Sequence, residues 1–331
     1  MTNKARIAKN VFFILGAFTL GIMIYKIGLE NIWLEIKQTG WWFVPIFLMW
    51  VVIYLLNTIT FYIILRDGSP ESENISFLRL FKLTISGFAI NYITPFGLMG
   101  GEPYKIIELK EELGIQKATS TVLLTTMMHF VSHFLFWVIT IPMLFFLVPV
   151  ISDSVEIGLI ISGGTAFLLL LWAYRIYTKG GVNRALIISS RLPFVGKRIR
   201  TYKEKNQEKI DQMDILIANL YKNRKKDFIA SLSIELLSRF LICFEIILMM
   251  MAIKVPVTIV QSVLVESIQS LISNLFFFMP MQMGAREGGF VIIYGILSIP
   301  VAYGVFVSLC KRIRELFWTL IGVLLIKAEK R

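Results

Sequence analysis

The sequence predicts an all-α polytopic membrane protein, with about six spanning helices and two re-entrant hairpins of broken helix that are related as inverted repeats. Hydrophobic residues make up 56% of the 331 residues. The mean hydropathy is +0.72, well above that of soluble domains. Apolar windows long enough to cross a bilayer recur along the chain, and two of them end in breaks rich in glycine and proline. We therefore expect one integral membrane domain over residues 1–331 and no separate soluble domain.

The predicted spans are apolar windows of the length, about 20 residues, that a helix needs to cross the hydrocarbon layer. In chain order they are 9–26, 41–65, 77–93, 117–148, 157–177, 228–253, 258–280 and 300–327, with a shorter window at 287–298. The first window continues into Lys26 and Ile27 and lacks the small-residue cleavage site of a signal peptide. It is predicted to remain as a spanning helix.

Most of the positive charge lies in one loop. The net charge of the chain is +12, and residues 175–226 hold 14 Lys and Arg against four acids. The positive-inside rule places this basic loop, residues 179–226, in the cytoplasm, together with both chain termini. Nucleic-acid binding is not expected, because membrane topology and attraction to anionic lipid account for the excess charge.

Within the basic loop, apolar residues recur on one helical face at Ile210, Met213, Ile217 and Leu220. This pattern predicts an amphipathic helix that anchors the loop at the membrane interface. The alternative is that the loop docks a cytoplasmic enzyme that modifies lipids or glycans.

The first hairpin is predicted at residues 77–112. If every long window spanned the bilayer, five crossings would precede the basic loop and place it outside, against the charge rule. The window 77–93 is followed by a break at 94–101 that contains proline and three glycines, and its return leg is too polar to face lipid. A segment that enters and leaves on the same side restores the topology.

The second hairpin has the same pattern, because the apolar window 258–280 runs into a glycine-rich break at 279–289 and a short returning helix. Irregular backbone at membrane depth is tolerated only where it is buried in protein or lines a wet cavity. Each half of the chain is then predicted to contain two spanning helices, a hairpin and a third spanning helix, in that order. We expect repeat 1 at about 9–148 and repeat 2 at about 157–327, in opposite orientations.

Candidate headgroup-binding residues are the polar and charged groups of the two hairpins and of the last span. They are Asn91, Gly100, Gly101, Glu102, Arg286, Glu287, Lys311, Arg314 and Glu315. Ionisable groups inside membrane segments cost several kcal/mol unless they are paired or hydrated, so each needs a reason. For Glu102 the structural alternative is capping of the return helix, and for Arg286 it is an internal pair with Glu287.

A second group of polar residues is predicted to line the same cavity. Its members are Thr94, His129, His133, Glu235, Arg239, Glu266 and Asn274. His129 and His133 lie four positions apart on one helical face, but no HExxH motif and no third ligand accompany them, so no metal site is expected. Cys243 and Cys310 lie in apolar segments and are expected only to pack. No catalytic residue and no cofactor is predicted.

The segment Asn91-Tyr92-Ile93-Thr94-Pro95-Phe96-Gly97-Leu98-Met99-Gly100-Gly101-Glu102-Pro103, supported by Gly284-Ala285-Arg286-Glu287-Gly288, resembles motifs of a known family. This family is the flippase-like transmembrane domain of lysylphosphatidylglycerol synthases and its stand-alone relatives. The resemblance implies a multi-pass protein of the bacterial inner (cell) membrane that moves a modified or glycosylated lipid between leaflets. The family's two-domain members carry a soluble aminoacyltransferase, which this chain, ending at Arg331, is expected to lack.

Two other functions remain open from the sequence. One is an intramembrane lipid-modifying enzyme, which the histidine pair and the acidic groups would serve. The other is a scaffold that recruits a cytoplasmic enzyme through its basic loop. No P-loop is present, so any driving force for transport is expected to come from an ion gradient, a lipid gradient or a partner.

Overall fold

The computed structural model describes Tyr25 and residues 28–94, 100–147, 153–179, 181–191, 196–275 and 285–328, and these residues contain helices and no strand. The helices that precede the basic loop are α1 (Leu29–Thr39), α2 (Phe43–Leu65), α3 (Pro70–Glu73), α4 (Phe77–Ile93), α5 (Gly101–Leu113), α6 (Ile115–Leu147) and α7 (Asp153–Lys179). The remaining helices are α8 (Gly181–Ser189), α9 (Gly196–Lys205), α10 (Gln207–Lys222), α11 (Lys225–Ala252), α12 (Ile259–Leu275), α13 (Ala285–Ile296) and α14 (Val301–Ala328). The predicted all-α class is confirmed.

Two helical segments, Ile32–Leu65 and Ile115–Phe146, are long and apolar enough to cross a membrane. Helices α11 and α14 have 28 residues each, about 42 Å at 1.5 Å per residue, which exceeds the hydrocarbon thickness. They carry several charged residues, most of which are buried. Their charges therefore face protein, as a spanning helix of a bundle requires. The first predicted span, 9–26, lies outside the described residues except for Tyr25, and the number of six spans stays a prediction.

Both predicted hairpins are present as pairs of packed helices. Helix α4 packs against α5, and α12 packs against α13. Of the predicted breaks at 94–101 and 279–289, residues 95–99 and 279–284 lie outside the described residues. The prediction was wrong for 285–289, which form the first turn of α13, and for Gly101, which begins α5. After the first hairpin, Gly114 has a φ of 74° and separates α5 from α6. Glycine adopts this left-handed conformation at little cost, so the chain turns there without strain.

The contacts between helices follow the two predicted halves. If α2, α4, α5 and α6 are matched in order to α11, α12, α13 and α14, contacts in one half have counterparts in the other. Helix α4 packs against α14 just as α12 packs against α6, and α2 and α11 pack against each other at the centre. This correspondence supports an internal repeat, whose boundaries at about 9–148 and 157–327 stay a prediction.

The amphipathic helix of the basic loop is α10, and its apolar face is covered by protein. Ile210, Ile217 and Leu220 are buried. Ile217 and Leu220 pack in one cluster with Ile64, from α2, and with side chains of α6. The periodicity predicted the helix, but periodicity alone does not distinguish a face that meets lipid from one that meets protein. The buried part of this face is consequently not available to the bilayer or to a partner enzyme.

Candidate functional site

A polar cavity of about 210 Å³ lies where α2, α4, α5, α6 and α11 meet. Each of these helices contributes hydrogen-bonding or ionisable side chains to its wall. The polar residues of the wall are Tyr54, Asn57, Thr84, Asn91, Glu102, Lys105, Thr125, Thr126, His129, Glu235, Ser238 and Arg239. A cavity with this lining, inside a bundle of mostly apolar helices, is the candidate functional site.

The first hairpin builds one side of this cavity. The Asn91 side-chain Oδ1 accepts hydrogen bonds from the backbone N–H of Gly100 at 3.2 Å and of Gly101 at 2.8 Å. Asn91 therefore satisfies N–H groups at the start of α5 that would otherwise have no partner. A Cβ on Gly101 would overlap the carbonyl oxygen of Gly87 in α4, so only glycine allows this close approach of the two helices.

Glu102 follows directly at the start of α5, and only half of its carboxylate is used. Its Oε1 accepts a hydrogen bond from Asn91 Nδ2 at 3.2 Å. Its Oε2 is buried and accepts no hydrogen bond from the described part of the chain. Asn91 carries the capping role that was the structural alternative for Glu102. The remaining carboxylate oxygen is left for the cavity.

Lys105 lies one helical turn after Glu102 on α5 and brings a positive charge into the same cavity. Its Nζ lies 5.7 Å from the centre of the Phe61 ring. Among the described residues it makes no ion pair or hydrogen bond. A Cβ on Gly87 would overlap the end of the lysine stem, so this glycine makes room for Lys105. The ammonium group is therefore positioned to meet an anion that enters the cavity.

The opposite wall holds a cluster of three ionisable side chains. His129 Nδ1 lies 3.1 Å from Glu235 Oε2, and Arg239 Nη2 lies 2.8 Å from His129 Nε2. Arg239 Nη2 also lies 2.6 Å from His129 Nδ1, so the guanidinium approaches both ring nitrogens. Arg239 also lies 3.8 Å from Glu235 and donates through Nε to Ser132 Oγ at 3.4 Å.

Helix α2 adds two buried polar atoms that have no hydrogen-bond partner in the described part of the chain, Tyr54 Oη and Asn57 Oδ1. Tyr54 is 3% exposed. Most buried polar atoms of proteins are hydrogen-bonded, so orphaned atoms in the wall of a cavity indicate groups that bind a ligand or water. Together with Glu102 Oε2, they give the cavity several polar groups ready to bind.

The second half carries a network of ion pairs. Arg286 pairs with Glu315 across α13 and α14, and Arg312 lies 2.5 Å from Glu287. Two further pairs extend the network to α11 and α12. They are Arg314 with Glu245 at 2.8 Å and Lys311 with Glu266 at 2.5 Å. Four cations and four carboxylates balance one another.

One tryptophan touches both the network and the polar cavity. Trp50 lines the cavity and donates through Nε1 to Glu245 Oε1 at 3.0 Å. The guanidinium carbon of Arg314 lies 3.8 Å from the centre of the indole ring, a cation–π contact. Trp50 is 8% exposed.

The structure divides the predicted headgroup-binding residues into two groups. Asn91, Gly100, Gly101 and Glu102 lie together at the start of α5, and Asn91 and Glu102 line the polar cavity. The other members lie in the ion-pair network, away from that cavity, and are Arg286, Glu287, Lys311, Arg314 and Glu315. The expected alternative pairing of Arg286 with Glu287 gives way to pairs with Glu315 and Arg312.

The predicted cavity-lining residues are also divided. His129, Glu235 and Arg239 line the polar cavity, whereas His133 and Asn274 line a second cavity. Glu266 belongs to the ion-pair network. Thr94 ends α4 and donates to the backbone oxygen of Asn91 at 3.3 Å.

Sequence reasoning missed Lys105, Tyr54 and Asn57 as residues of the site. A signal was available for Lys105, which lies three positions after Glu102 and so on the same helical face. Tyr54 and Asn57 lie in a long apolar window without a motif. Among the described residues, no group of three His, Cys, Asp or Glu side chains is placed to hold a metal ion.

Comparison with known proteins bears on the whole chain. The family model described as the lysylphosphatidylglycerol synthase TM region matches residues 7–322. No curated protein and no solved structure gave a significant match.

Proposed function

Since the chain belongs to the lysylphosphatidylglycerol synthase transmembrane-region family, a family of membrane proteins associated with lipid modification or transport, we propose that it translocates a lipid between leaflets. The proposed substrate is a membrane lipid with a modified or glycosylated headgroup. The proposed location is the bacterial inner (cell) membrane. The positive-inside rule puts the basic loop in the cytoplasm, and the predicted topology puts both termini on the same side.

The observation that carries this proposal is the Lys105 ammonium, which makes no ion pair or hydrogen bond within the described part of the chain, in a cavity where Tyr54 Oη, Asn57 Oδ1 and Glu102 Oε2 likewise have no described partner. Lys105 and Arg239 supply positive charge that suits a phosphate, since charge-assisted hydrogen bonds to phosphate are among the strongest in proteins. Glu102 and Glu235 supply negative charge that suits an amine or sugar hydroxyls. The charges balance, as expected for a site that holds a zwitterionic or polyhydroxylated headgroup.

The two halves suggest how the headgroup crosses. In this structure the first hairpin faces the polar cavity, which α11 of the second half also lines, while the charges of the second hairpin are closed by ion pairs. Repeats of opposite orientation that exchange such open and closed states give alternating access to a site near the midplane. The acyl chains would stay in apolar surroundings while the headgroup passes between the halves.

The test is lipid translocation in proteoliposomes. Purified protein is reconstituted with fluorescent short-chain lipids of several headgroups, and the outer leaflet is bleached chemically over time. The wild-type protein should expose inner-leaflet label to the bleach, and Lys105→Met should slow this at least about tenfold, which corresponds to about 1.4 kcal/mol of lost interaction.

The matched control is Lys110→Met, on the same helix but outside the cavity lining. It should translocate at the wild-type rate. If Lys105→Met and the wild type translocated lipid at equal rates, the cavity would have no role in translocation. A wild-type protein that moves no tested lipid would count against translocation itself.

One observation favours a second function, an intramembrane lipid-modifying enzyme. His129 and Glu235 form a hydrogen-bonded pair in the cavity wall, the arrangement in which a carboxylate orients a histidine for proton transfer. Incubation of reconstituted protein with lipid, followed by mass spectrometry of the headgroups, separates the two functions. A change in headgroup mass that His129→Gln abolishes would establish the enzyme, whereas unchanged mass with continued translocation would exclude it for the lipids tested.

A further inference from the structure

A second cavity, of about 390 Å³, lies between α6, α7 and α12. Each helix turns one face toward it. Helix α6 contributes Phe130, Phe134 and Trp137, which recur at helical spacing, and α7 contributes Ile161, Ala166 and Leu169 among others. The volume lies within the range of about 300–1,000 Å³ that small-molecule sites occupy.

Four of the polar side chains in this wall make hydrogen bonds within the protein. His133 Nδ1 lies 3.2 Å from the His129 backbone oxygen, and Thr165 donates to Ile161 at 2.8 Å. Asn274 donates to the Ser270 backbone at 2.8 Å, and Trp137 donates to the Ser270 hydroxyl at 2.9 Å. What remains for a ligand is mainly aromatic and aliphatic surface, so the chemistry of the cavity selects hydrocarbon.

The two cavities are neighbours along a single turn of α6. Phe130 lines both of them, and the rings of His129, in the polar cavity, and His133, in the apolar one, lie 5.1 Å apart. A glycerolipid joins a charged headgroup to hydrocarbon chains through a few covalent bonds. A protein that holds such a molecule therefore needs a polar and an apolar chamber side by side, which is what this turn provides.

Helix α7 separates part of the apolar cavity from the outside of the bundle. Ala166 lines the cavity and is buried, whereas Leu168, two positions on, is 65% exposed. Ile161 also lines the cavity and is 63% exposed, so the cavity is open to the outside of the bundle beside this residue. An apolar outer face on a membrane helix meets lipid, so the hydrocarbon of the bilayer borders the cavity.

We propose that the second cavity holds one acyl chain of the lipid whose headgroup occupies the polar cavity, with Phe130 between the two parts. This inference rests on the proposed function for the identity of the headgroup ligand. It adds that the protein recognises the chain of its substrate as well as its headgroup. Substrates with long chains should then bind more tightly than short-chain forms with the same headgroup.

Trp137 gives a direct reading of chain occupancy, because it lines the second cavity and is only 6% exposed. Phosphatidylglycerol or phosphatidylethanolamine with brominated acyl chains is added to the protein in detergent, and tryptophan fluorescence is recorded. Bromine quenches indole fluorescence only at close range, so a component of quenching that Trp137→Phe removes reports a chain inside the cavity.

Variants that fill the cavity test the assignment. Ala166→Phe and, as a second variant at a less buried position, Ser162→Phe should reduce the Trp137-dependent quenching at least fivefold. The matched control is Leu168→Phe, which adds to the outer face of the same helix and should leave quenching unchanged. The same variants should slow translocation of dioleoyl lipid at least fivefold more than that of the dihexanoyl form.

The outcomes separate this inference from the proposed function. Absence of Trp137-dependent quenching in the wild type, with translocation still measurable, would overturn the acyl-chain site alone. Equal quenching by brominated dodecane, a hydrocarbon without a headgroup, would overturn the linkage between the two cavities. Trp137-dependent quenching by lipid without translocation would support the acyl site while counting against transport.

Discussion

The two hairpins have the same sequence pattern but use their charged side chains differently. In the first, α4 and α5 bring Glu102 and Lys105 into a cavity, where neither has a complete set of partners. In the second, Arg286 and Glu287 at the start of α13 are both paired with charges of α14. One hairpin holds charge ready for a ligand, and the other uses its charge to hold the bundle together.

The difference shows that intramembrane charge alone does not identify a binding site. In a buried ion pair each charge is compensated mainly by its partner, and the loss of one partner is expressed as instability. A buried charge that lacks a partner has already lost part of its hydration without gaining an ion pair. A ligand of opposite charge can supply that pair, and the interaction then contributes to affinity. Stability and translocation measurements on matched variants should therefore separate the two hairpins.

The largest effect is expected from removing a charge in the network. Glu245 is fully buried and meets Arg314, Trp50 and Lys311. Glu245→Gln leaves Arg314 without its main counter-charge, which should lower the free energy of unfolding by about 3–5 kcal/mol. Glu102→Gln, the matched change in the first hairpin, should lower it by less than about 1 kcal/mol.

Thermal or SDS-induced unfolding in detergent, followed by circular dichroism, measures both variants of this pair. Glu102→Gln should still lose translocation although it unfolds like the wild type. Similar destabilisation by the two substitutions would break the distinction between a network and a site.

The next effect concerns glycine in the two return helices. A Cβ on Gly101 would overlap the Gly87 carbonyl, a backbone atom that cannot move aside without separating α4 from α5. Gly101→Ala should therefore destabilise the protein by about 1–3 kcal/mol. In α13, no atom of the described residues outside the helix's own backbone and its chain neighbours lies within 4 Å of a Cβ built at Gly288.

Gly288→Ala should accordingly leave stability unchanged or raise it by up to about 1 kcal/mol, since alanine favours helix over glycine. Unfolding of both variants under the same conditions measures the contrast. If Gly288→Ala alone lost stability, the close packing that requires glycine would lie at α13 and not at α5.

A smaller effect is expected from an ion pair outside the bundle interior. Lys117, at the start of α6, lies 2.7 Å from Asp67 in the loop after α2. Burial raises the pKa of Asp67, but the hydrogen bonds from Lys117 and Ser69 outweigh burial and lower the pKa to about 2. A carboxyl whose folded pKa lies below its unfolded value of 3.8 stabilises the protein above that pH and loses this contribution as pH falls toward 2.

After allowance for solvent screening, this contribution is about 1 kcal/mol or less near neutral pH. Asp67→Asn should therefore lower stability by about this amount at pH 7, and the difference from wild type should shrink between pH 4 and pH 2, a window that follows from the pKa of about 2. Unfolding midpoints measured across this range test it. If the stability difference between the wild type and Asp67→Asn grew on acidification, the pKa of Asp67 would not be lowered in the folded protein.

The smallest effect concerns the position of Lys105. A Cβ on Gly87 would meet the end of the Lys105 stem, which is flexible and can move. Gly87→Ala should displace the ammonium and slow translocation about threefold, or about 0.6 kcal/mol, with little change in stability. Translocation at the wild-type rate would show that the position of the ammonium is not critical.

Much of the fold was predictable because its signals are local. The apolar windows gave the long helices, and the breaks after Ile93 and Leu275 gave the hairpins. The two-fold correspondence of helix contacts agrees with the predicted order of elements. The apolar face of α10 was also visible, but whether protein or lipid covers it depends on tertiary packing, which no local pattern contains.

The site was less predictable, because pairing is a property of three-dimensional proximity. The charges at 311–315 were evident in the sequence, yet the partners of Lys311 and Arg314 include Glu266 and Glu245, 45 and 69 positions away. Without those partners, the second half looked as ready to bind a headgroup as the first. The spacing from Glu102 placed Lys105 on the same helical face, but only the cavity wall shows that its ammonium has no ion-pair partner among the described residues.

The position of Trp50 has a thermodynamic consequence. Its indole forms part of the cavity wall while its N–H and ring face hold Glu245 and Arg314 of the network. A ligand whose binding moves this ring is coupled to the opening of the network. By linkage, the factor by which binding favours opening equals the factor by which opening raises the affinity for the ligand. One coupling free energy, carried by Trp50, would then describe both effects.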